Sequence, residues 1–110
     1  MERQPATYLL ASARNGTLYV GVTSNLVKRA WEHRNHVVDG YTKKHGVTQL
    51  VWYEMHDTME AAISHEKRIK KWRRDWKVEL IEKTNPCWND LWPQITGSEA
   101  EVTGFPLSRE

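Results

Sequence analysis

Two short, apolar, β-prone stretches flank the dipeptide Asn15-Gly16, and this pattern restricts the fold more than any other feature of the chain. The stretches are Thr7–Ala13 and Thr17–Thr23, and two such runs with a turn signal between them are typical of paired strands. Asn-Gly favours the tight turns that connect antiparallel strands. The first part of the chain therefore predicts an antiparallel hairpin.

Helical and strand patterns follow one another along the remainder of the chain. Apolar residues at helical spacing predict a helix that begins near Asn25, is capped by Thr23 or Ser24, and ends before Asp39-Gly40. A polar loop at Tyr41–Gly46 and a strand at Gln49–Glu54 come next. A long helix then runs from Asp57 or Thr58 to about Trp72. A shorter helix at Trp76–Lys83 is ended by Thr84-Asn85-Pro86, and the segment Trp88–Ile95 packs back on the domain. The order β-β-α-β-α-α predicts an α+β fold, a small three-stranded antiparallel sheet flanked by helices.

The chain's 110 residues suit one domain, since a domain has roughly 100–200 residues. We expect residues 1–95 to form it and residues 96–110, with Gly, Ser, Glu and Pro, to be a mostly disordered tail. No apolar run approaches the roughly 18–20 residues of a membrane span. No apolar leader precedes a cleavage site. The single cysteine, Cys87, cannot form an internal disulfide. We therefore expect a cytoplasmic protein with no membrane partner.

Positive charge is concentrated between Lys67 and Lys77, where the chain reads KRIKKWRRDWK and holds seven Lys or Arg residues against the single acid Asp75. One interpretation is a solvated helix face, and the other is a surface that binds the phosphates of a nucleic acid. Trp72 and Trp76, which lie within this run, either belong to the core or stack on bases.

Three polar residues lie at helix positions where they need an explanation. Arg29 and His33 are four residues apart, so they share one face of the first predicted helix. Glu66 falls among apolar residues of the long helix, such as Ala62 and Ile69, so its carboxylate points toward the core. A buried carboxylate needs a partner, either in a salt bridge to Arg29 or a lysine, or as a ligand of Mg²⁺. Arg29 is either an arginine at the core edge or a phosphate ligand.

Tyr8 and Tyr19 lie on opposite strands of the predicted hairpin, where they can approach one another. Tyrosine is an ordinary strand residue, so this placement alone indicates little. A phenol, with a pKa of about 10, is a poor base unless a cation or metal stabilises its phenolate.

The constellation as a whole resembles the GIY-YIG nuclease family. The run ATYLLASARNGTLYVG matches the two motif triplets, here Ala6-Thr7-Tyr8, which keeps only the tyrosine, and Tyr19-Val20-Gly21. The stretches VTSNLVKRAWEH and LVWYEMHDTMEAAISHEKRIKKWRRDWKVELIEKTNPCWNDL resemble small stand-alone members, so the resemblance covers about Thr7 to Trp92. Because the same domain begins a nuclease of nucleotide excision repair, DNA repair is among the contexts that the resemblance implies.

The resemblance implies a role for each residue that matches the family. The implied catalytic residues are the motif tyrosines Tyr8 and Tyr19, the arginine Arg29, the helix histidine His33, the metal ligand Glu66 and the late asparagine Asn85. Gly21 would be the motif glycine, needed where backbone or substrate approaches closely. Asn89 is the alternative asparagine, and we favour Asn85 because it precedes a proline, as in the small members.

The implied activity is that of a metal-dependent endonuclease that hydrolyses phosphodiester bonds. A Mg²⁺ or Mn²⁺ ion at Glu66 and the guanidinium of Arg29 would neutralise charge on the phosphate, and a tyrosine of lowered pKa would take a proton from water. We favour DNA over RNA as the nucleic acid partner. The predicted phosphate-binding residues are Lys43, Lys44, Lys70, Lys71, Arg73 and Arg74. A non-catalytic nucleic-acid-binding module of the same fold is the alternative function, and a protein-interaction domain is a third.

Overall fold

The computed structural model describes residues 4–35 and 40–96, and its elements follow the predicted order with two short helices added. These elements are β1 (Ala6–Ala11), β2 (Leu18–Thr23), α1 (Leu26–Arg34), α2 (Tyr41–His45), β3 (Gln49–Met55), α3 (Met59–Lys70), α4 (Arg74–Thr84) and α5 (Trp92–Thr96). The predicted α+β fold, a three-stranded antiparallel sheet flanked by helices, is confirmed. Residues 97–110 lie outside the described part of the chain, so the disordered tail and the domain boundary at residue 95 stay predictions.

The sheet has the strand order β2-β1-β3, and both strand pairs are antiparallel. Every residue of the central strand β1 is buried, because helices cover both faces of the sheet. On one face Leu9 packs with Ile69 of α3 and Ile81 of α4, and on the other Leu10 packs with Leu26 of α1. Successive side chains of a strand point to opposite faces, so a strand covered on both sides has a continuous apolar sequence.

The loop between β1 and β2 is longer than a two-residue hairpin turn. Ser12 Oγ accepts a hydrogen bond from the Thr17 N–H at 2.9 Å and so closes the loop. Within it, Asn15 adopts the left-handed conformation, with φ of 62°. The first strand therefore ends at Ala11 and the second begins at Leu18, both short of their predicted bounds.

Side-chain caps fix the starts of α1 and α3. The Asn25 side chain accepts from the main-chain N–H three residues later at 3.2 Å, so Asn25 is the cap, and the prediction of Thr23 or Ser24 is wrong. Thr23 Oγ1 instead accepts from the Asn25 N–H at 3.0 Å and orients the cap. Thr58, one of the two predicted caps of α3, accepts from the Ala61 N–H at 3.1 Å and is confirmed.

The segment Tyr41–Gly46 contains a short helix, so the prediction of a polar loop there is wrong. Helix α2 spans Tyr41–His45 and ends at Gly46, whose φ of 64° is the left-handed conformation that glycine adopts readily. Thr42 on this helix is buried. Apolar periodicity did not indicate the helix because a helix of about one turn is too short to display it.

The segment after α4 returns to the sheet, as predicted for Trp88–Ile95. The Leu91 N–H donates to the Leu50 carbonyl at 2.8 Å, and both Leu91 and Ile95 pack against the apolar cluster on the α1 face. Among the helices of residues 4–35 and 40–96, none is both long enough and apolar enough to cross a membrane.

Candidate active site

Three rings from three different elements meet on the α1 face of the sheet. Tyr8 lies in β1, Tyr19 in β2 and His33 in α1. Their ring centroids are 6.5 Å apart for Tyr8–Tyr19, 6.0 Å for Tyr8–His33 and 5.7 Å for Tyr19–His33. The Tyr8 hydroxyl oxygen lies 3.3 Å from His33 Nε2. The hairpin and the first helix thus bring the two motif tyrosines and the histidine together.

Thr42 of α2 holds His33 from the other side. Its hydroxyl oxygen lies 3.0 Å from His33 Nδ1, and both residues are buried. Burial, together with the positive charge of Arg29, lowers the pKa of His33 below its ordinary value. The imidazole is therefore neutral at pH 7, so one ring nitrogen carries a proton and the other has a free lone pair.

The hydroxyl of Tyr8 is a weak acid in this environment. Burial raises the pKa of Tyr8 well above its ordinary value, and the neighbouring Tyr19 hydroxyl raises this pKa further. Arg29 lowers the pKa of Tyr8 by less than either of these effects raises it, and the carboxylates of Glu66 and Glu32 add smaller increases. The hypothesis is that Arg29 or the metal lowers the pKa of one of the two motif tyrosines. At Tyr8 the guanidinium alone does not lower the pKa, because desolvation outweighs it.

Gly21 lies directly across the strand pair from Tyr8, and the phenol ring occupies the space where a side chain would be. A Cβ at Gly21 would lie 2.4 Å from both Cζ and Oη of Tyr8 and 2.8 Å from Cε1. Real Cβ atoms essentially never approach other atoms so closely. A glycine is therefore required here because it makes room for the Tyr8 ring over β2.

The buried carboxylate of Glu66 is paired with a lysine. Glu66 is 7% exposed on α3, and its Oε2 lies 2.6 Å from Nζ of Lys70, one helical turn along. This hydrogen bond raises the pKa of Lys70, so the amine stays charged. The structure thus contains the salt bridge that was one of the two interpretations, and the pair still offers an oxygen ligand for a hard cation.

Arg29 lies beside the ring cluster and is partly exposed. Its Nε is 3.5 Å from Glu32 Oε1, and 42% of its side chain is accessible. Its charge affects the pKa of both Tyr8 and His33. It borders a small polar cleft of about 130 Å³, whose other lining residues are Thr23, Ser24, Asn25, Lys28 and Glu32. A guanidinium in this position can contact a phosphate without moving the ring cluster.

Asn85 is not in contact with this group of residues. Its side chain is buried at the end of α4, where Nδ2 donates to the carbonyls of Val51 at 3.0 Å and Asn89 at 2.9 Å. Its Oδ1 accepts from the Asn89 N–H at 3.0 Å. All of these partners are main-chain groups of β3 and of the loop after α4. The geometry therefore supports a role in holding that loop, and the catalytic role implied by the resemblance stays a prediction.

The basic residues predicted to bind phosphate do not behave alike. All six are exposed: Lys43, Lys44, Lys70, Lys71, Arg73 and Arg74. Lys70 makes the ion pair with Glu66. Arg74 Nη2 donates to the carbonyls of Asn15 at 2.9 Å and Gly16 at 2.7 Å, so this arginine fastens the hairpin loop to α4.

Trp72 and Trp76 differ in burial, although their rings meet edge to face at 6.0 Å. Trp72 packs against the core cluster that contains Ile69. Trp76 is 49% exposed, and the guanidinium of Arg73 lies 5.4 Å from its ring centroid. Of the two rings, only Trp76 has a broad accessible surface of the kind that stacks on a base.

The ion pair between Glu66 and Lys70 has the i,i+4 spacing that favours such pairs, so the sequence carried a signal for it. Sequence reasoning missed the contact between His33 and Thr42, which carried no signal because it depends on how α2 packs against α1.

A family model for the GIY-YIG catalytic domain matches residues 4–79. The chain belongs to the GIY-YIG family. The matched range includes Tyr8, Tyr19, Arg29, His33 and Glu66 of this GIY-YIG protein, whereas Asn85 lies beyond it.

Relatives of this GIY-YIG protein are small proteins named UPF0213. One from Staphylococcus saprophyticus is 35% identical over 74 residues, which are 67% of this chain and 90% of the relative. Another, from Syntrophus aciditrophicus, is 41% identical over 71 residues, 64% of this chain and 80% of its own. The resemblance to small stand-alone members is confirmed.

A solved structure supports the fold of this GIY-YIG protein. It is the solution NMR structure of a UPF0213 protein from Bacillus halodurans, with a TM-score of 0.51 and 22% identity, covering 82% of this chain and 95% of that chain. At this identity the likeness extends to the arrangement of strands and helices alone.

Proposed function

We propose that this protein is a metal-dependent endonuclease, with Tyr8, Tyr19, Arg29, His33 and Glu66 in its active site. One observation carries the proposal: the rings of Tyr8, Tyr19 and His33 meet with centroids 5.7–6.5 Å apart, and the Tyr8 hydroxyl lies 3.3 Å from His33 Nε2. Arg29 on α1 and the buried carboxylate of Glu66 on α3 are near enough for their charges to affect the pKa of Tyr8. Phosphate binding, metal binding and proton transfer, which phosphodiester hydrolysis requires, are all within the capacity of these groups.

Glu66 is the residue that would hold a divalent metal. It is the one buried carboxylate among the described residues, and its pairing with Lys70 indicates that the position suits a cation. Mg²⁺ or Mn²⁺ fits, because hard cations take carboxylate oxygens and keep several waters. A bound ion would supply Lewis-acid stabilisation of the charge that builds on the phosphate. A single buried carboxylate favours a one-metal site.

Arg29 would bind the scissile phosphate. Its guanidinium is planar and permanently charged, and it can donate two parallel hydrogen bonds to phosphate oxygens. The ion pair with Glu32, at 3.5 Å, holds the side chain beside the cleft in the absence of substrate. A pair this exposed is weak, so a phosphate can displace Glu32 at little cost.

Tyr8 and His33 would move the proton of the attacking water. The neutral phenol of Tyr8 can take this proton as it gives its own to Nε2 of neutral His33, 3.3 Å away. Thr42 keeps the ring in place by accepting the Nδ1 proton. Tyr19, the other motif tyrosine, would orient the water or the phosphate. Substituting each tyrosine by phenylalanine tests this assignment, and a larger loss of cleavage rate in Tyr19→Phe would reverse the two roles.

Nucleic acid, with DNA favoured over RNA, is the proposed substrate. Six basic residues would contact its phosphates: Lys43, Lys44, Lys70, Lys71, Arg73 and Arg74. Affinity should then fall steeply as salt is raised. Changing the exposed lysines Lys44 and Lys71 together to Gln should weaken binding to all sequences alike. Unchanged affinity would contradict the phosphate-binding surface.

The central test is Glu66→Gln, with Glu60→Gln as a control on the exposed first turn of the same helix. Glutamine keeps the shape of the side chain and removes the charge that a divalent cation needs. Loss of roughly 3–4 kcal/mol of transition-state stabilisation predicts a fall of about 10²–10³ in cleavage rate. The rate is measured with and without Mg²⁺ or Mn²⁺ on single-stranded, duplex, flapped and branched substrates, beside binding affinity and melting temperature. Equal rates for the wild type and Glu66→Gln would contradict the metal-ligand role.

A non-catalytic nucleic-acid-binding module is the second candidate, and one contact favours it. Lys70 already neutralises Glu66 at 2.6 Å, so the carboxylate has a structural reason to be there. On this alternative, Glu66→Gln lowers the melting temperature without any other effect. The wild type then binds nucleic acid in a salt-dependent way and cleaves none of the substrates above.

A further inference from the structure

Two histidines and a carboxylate converge at a second place, where the end of β3 meets α3. Glu54 is in β3, His56 follows the strand, and His65 is on α3. His65 Nδ1 lies 3.5 Å from His56 Nε2 and 3.6 Å from Glu54 Oε1, and one ligand atom from each residue lies within 4.8 Å of the other two. None of the three belongs to the group around Tyr8.

The spacing of these atoms fits the coordination shell of zinc. Zn²⁺ binds imidazole nitrogen and carboxylate oxygen at about 2.0–2.2 Å in tetrahedral geometry, which separates neighbouring ligand atoms by about 3.3–3.6 Å. The two separations measured from His65 Nδ1, 3.5 Å and 3.6 Å, match this edge length. Two imidazoles favour zinc over Mg²⁺ or Ca²⁺, because the harder ions prefer shells made of oxygen.

We propose that Glu54, His56 and His65 bind a zinc ion, with a water molecule as the fourth ligand. The site would clip the end of β3 to α3. It is independent of the proposed nuclease site, although His65 directly precedes Glu66 on the helix.

The surroundings of His65 agree with a ligating role. Trp52 meets the imidazole edge to face, with centroids 5.9 Å apart, and fixes its orientation. Only 20% of the His65 side chain is accessible, whereas Glu54 is half exposed, so an ion can enter from the carboxylate side.

His56 must exchange one contact for the metal. The Thr7 hydroxyl donates its single proton to the Ala62 carbonyl at 2.9 Å, so it accepts from His56 Nε2–H at 3.1 Å when no ion is bound. Coordination through Nε2 moves this proton to Nδ1, so the ring only changes tautomer. The ion then replaces the hydrogen bond to Thr7 and the longer contact with His65 Nδ1, which are weaker than a metal–imidazole bond.

The test is zinc binding by the full chain after its metal has been removed with a chelator. Zinc is titrated against a chelating indicator, and Co²⁺ is added separately because tetrahedral cobalt absorbs visible light. Mutating a residue that only supports a metal ligand typically lowers metal affinity by about 10–100-fold. Losing a ligand itself should have a larger effect, so His56→Ala and His65→Ala should each weaken zinc binding by at least about 100-fold. The control His45→Ala, at an exposed histidine of α2, and Glu66→Gln should bind zinc as the wild type does.

Circular dichroism shows whether each variant folds, and Glu54→Gln, at a half-exposed position, provides a ligand change that spares the interior. Zinc should raise the melting temperature of the wild type and leave that of His65→Ala unchanged. Zinc affinity that is equal in the wild type and in folded His56→Ala, His65→Ala and Glu54→Gln would overturn the proposal. So would an affinity that Glu66→Gln abolishes, because the ion would then lie at the nuclease site.

Discussion

Replacing Gly21 by alanine tests how the Tyr8 ring is accommodated. The new methyl group would lie 2.4 Å from Cζ and Oη of Tyr8, whereas an ordinary contact is 3.4–4 Å, so the ring must move by about 1 Å. Overpacking of this kind costs about 1–3 kcal/mol. The φ of Gly21 is not in the left-handed region, so alanine can adopt it without backbone strain. Alanine also lowers the conformational entropy of the unfolded chain, which stabilises the folded protein by about 0.4–1 kcal/mol.

The net loss is about 1–2 kcal/mol, which lowers the melting temperature by about 4–16 °C for a domain of this size. The hydroxyl of Tyr8 also leaves its 3.3 Å position beside His33, and a displacement of about 1 Å lowers the cleavage rate by about 100-fold if the proposed mechanism holds. Thermal unfolding and single-turnover cleavage measure the two effects.

A double-mutant cycle identifies the cause. In a Tyr8→Ala background the added methyl group at Gly21 has room, so Gly21→Ala should no longer destabilise the protein. If its cost is the same in both backgrounds, the reason for glycine lies elsewhere than in the Tyr8 ring. A melting temperature of Gly21→Ala equal to that of the wild type would refute the reasoning from steric contact.

Three further predictions concern stability. Folding lowers the pKa of His33, so the free energy of unfolding is highest above about pH 6.5 and decreases as pH falls toward the pKa of the folded protein. Melting curves recorded across this pH range should show the decrease, and His33→Gln should make it smaller. Asn85→Ala leaves the buried Val51 carbonyl without its donor and should cost about 2–4 kcal/mol of stability. If Asn85 only holds the loop, the cleavage rate of the folded fraction stays unchanged, whereas a rate that collapses at normal stability would support a catalytic asparagine. Ending the chain after Thr96 should shift the melting temperature by only a few degrees, and a larger drop would mean that residues 97–110 dock on the domain.

Sequence patterns predicted the elements whose apolar residues face a core. The strand at Gln49 and the helix capped by Thr58 were placed within a few residues of their observed bounds, because burial of one side imposes a period that the sequence displays. Helix α2 was missed because it is too short for a period. The cap of α1 was misassigned because Thr23, Ser24 and Asn25 all favour that position, and only the backbone geometry distinguishes them.

Sequence patterns indicated which residues could share one region, but they did not indicate the chemistry of that region. Helical spacing placed Arg29 with His33 and turned Glu66 inward. The direction of the Tyr8 pKa depends on how completely three elements bury the hydroxyl, which no local pattern records. The main-chain partners of Asn85 likewise depend on how the end of α4 meets β3.

The central position of β1 bears on how the chain folds. Its first partner, β2, begins seven residues after it ends, whereas its second partner, β3, begins at Gln49. A two-stranded hairpin alone is marginally stable at best in water, so the pair β1–β2 becomes stable only when β3 is added. Pairing β3 with β1 closes a long loop of chain between them, and we expect this step to limit the folding rate. During synthesis on the ribosome, β1 leaves one edge unpaired until β3 has emerged, and that edge is where a nascent chain is most open to pairing with another.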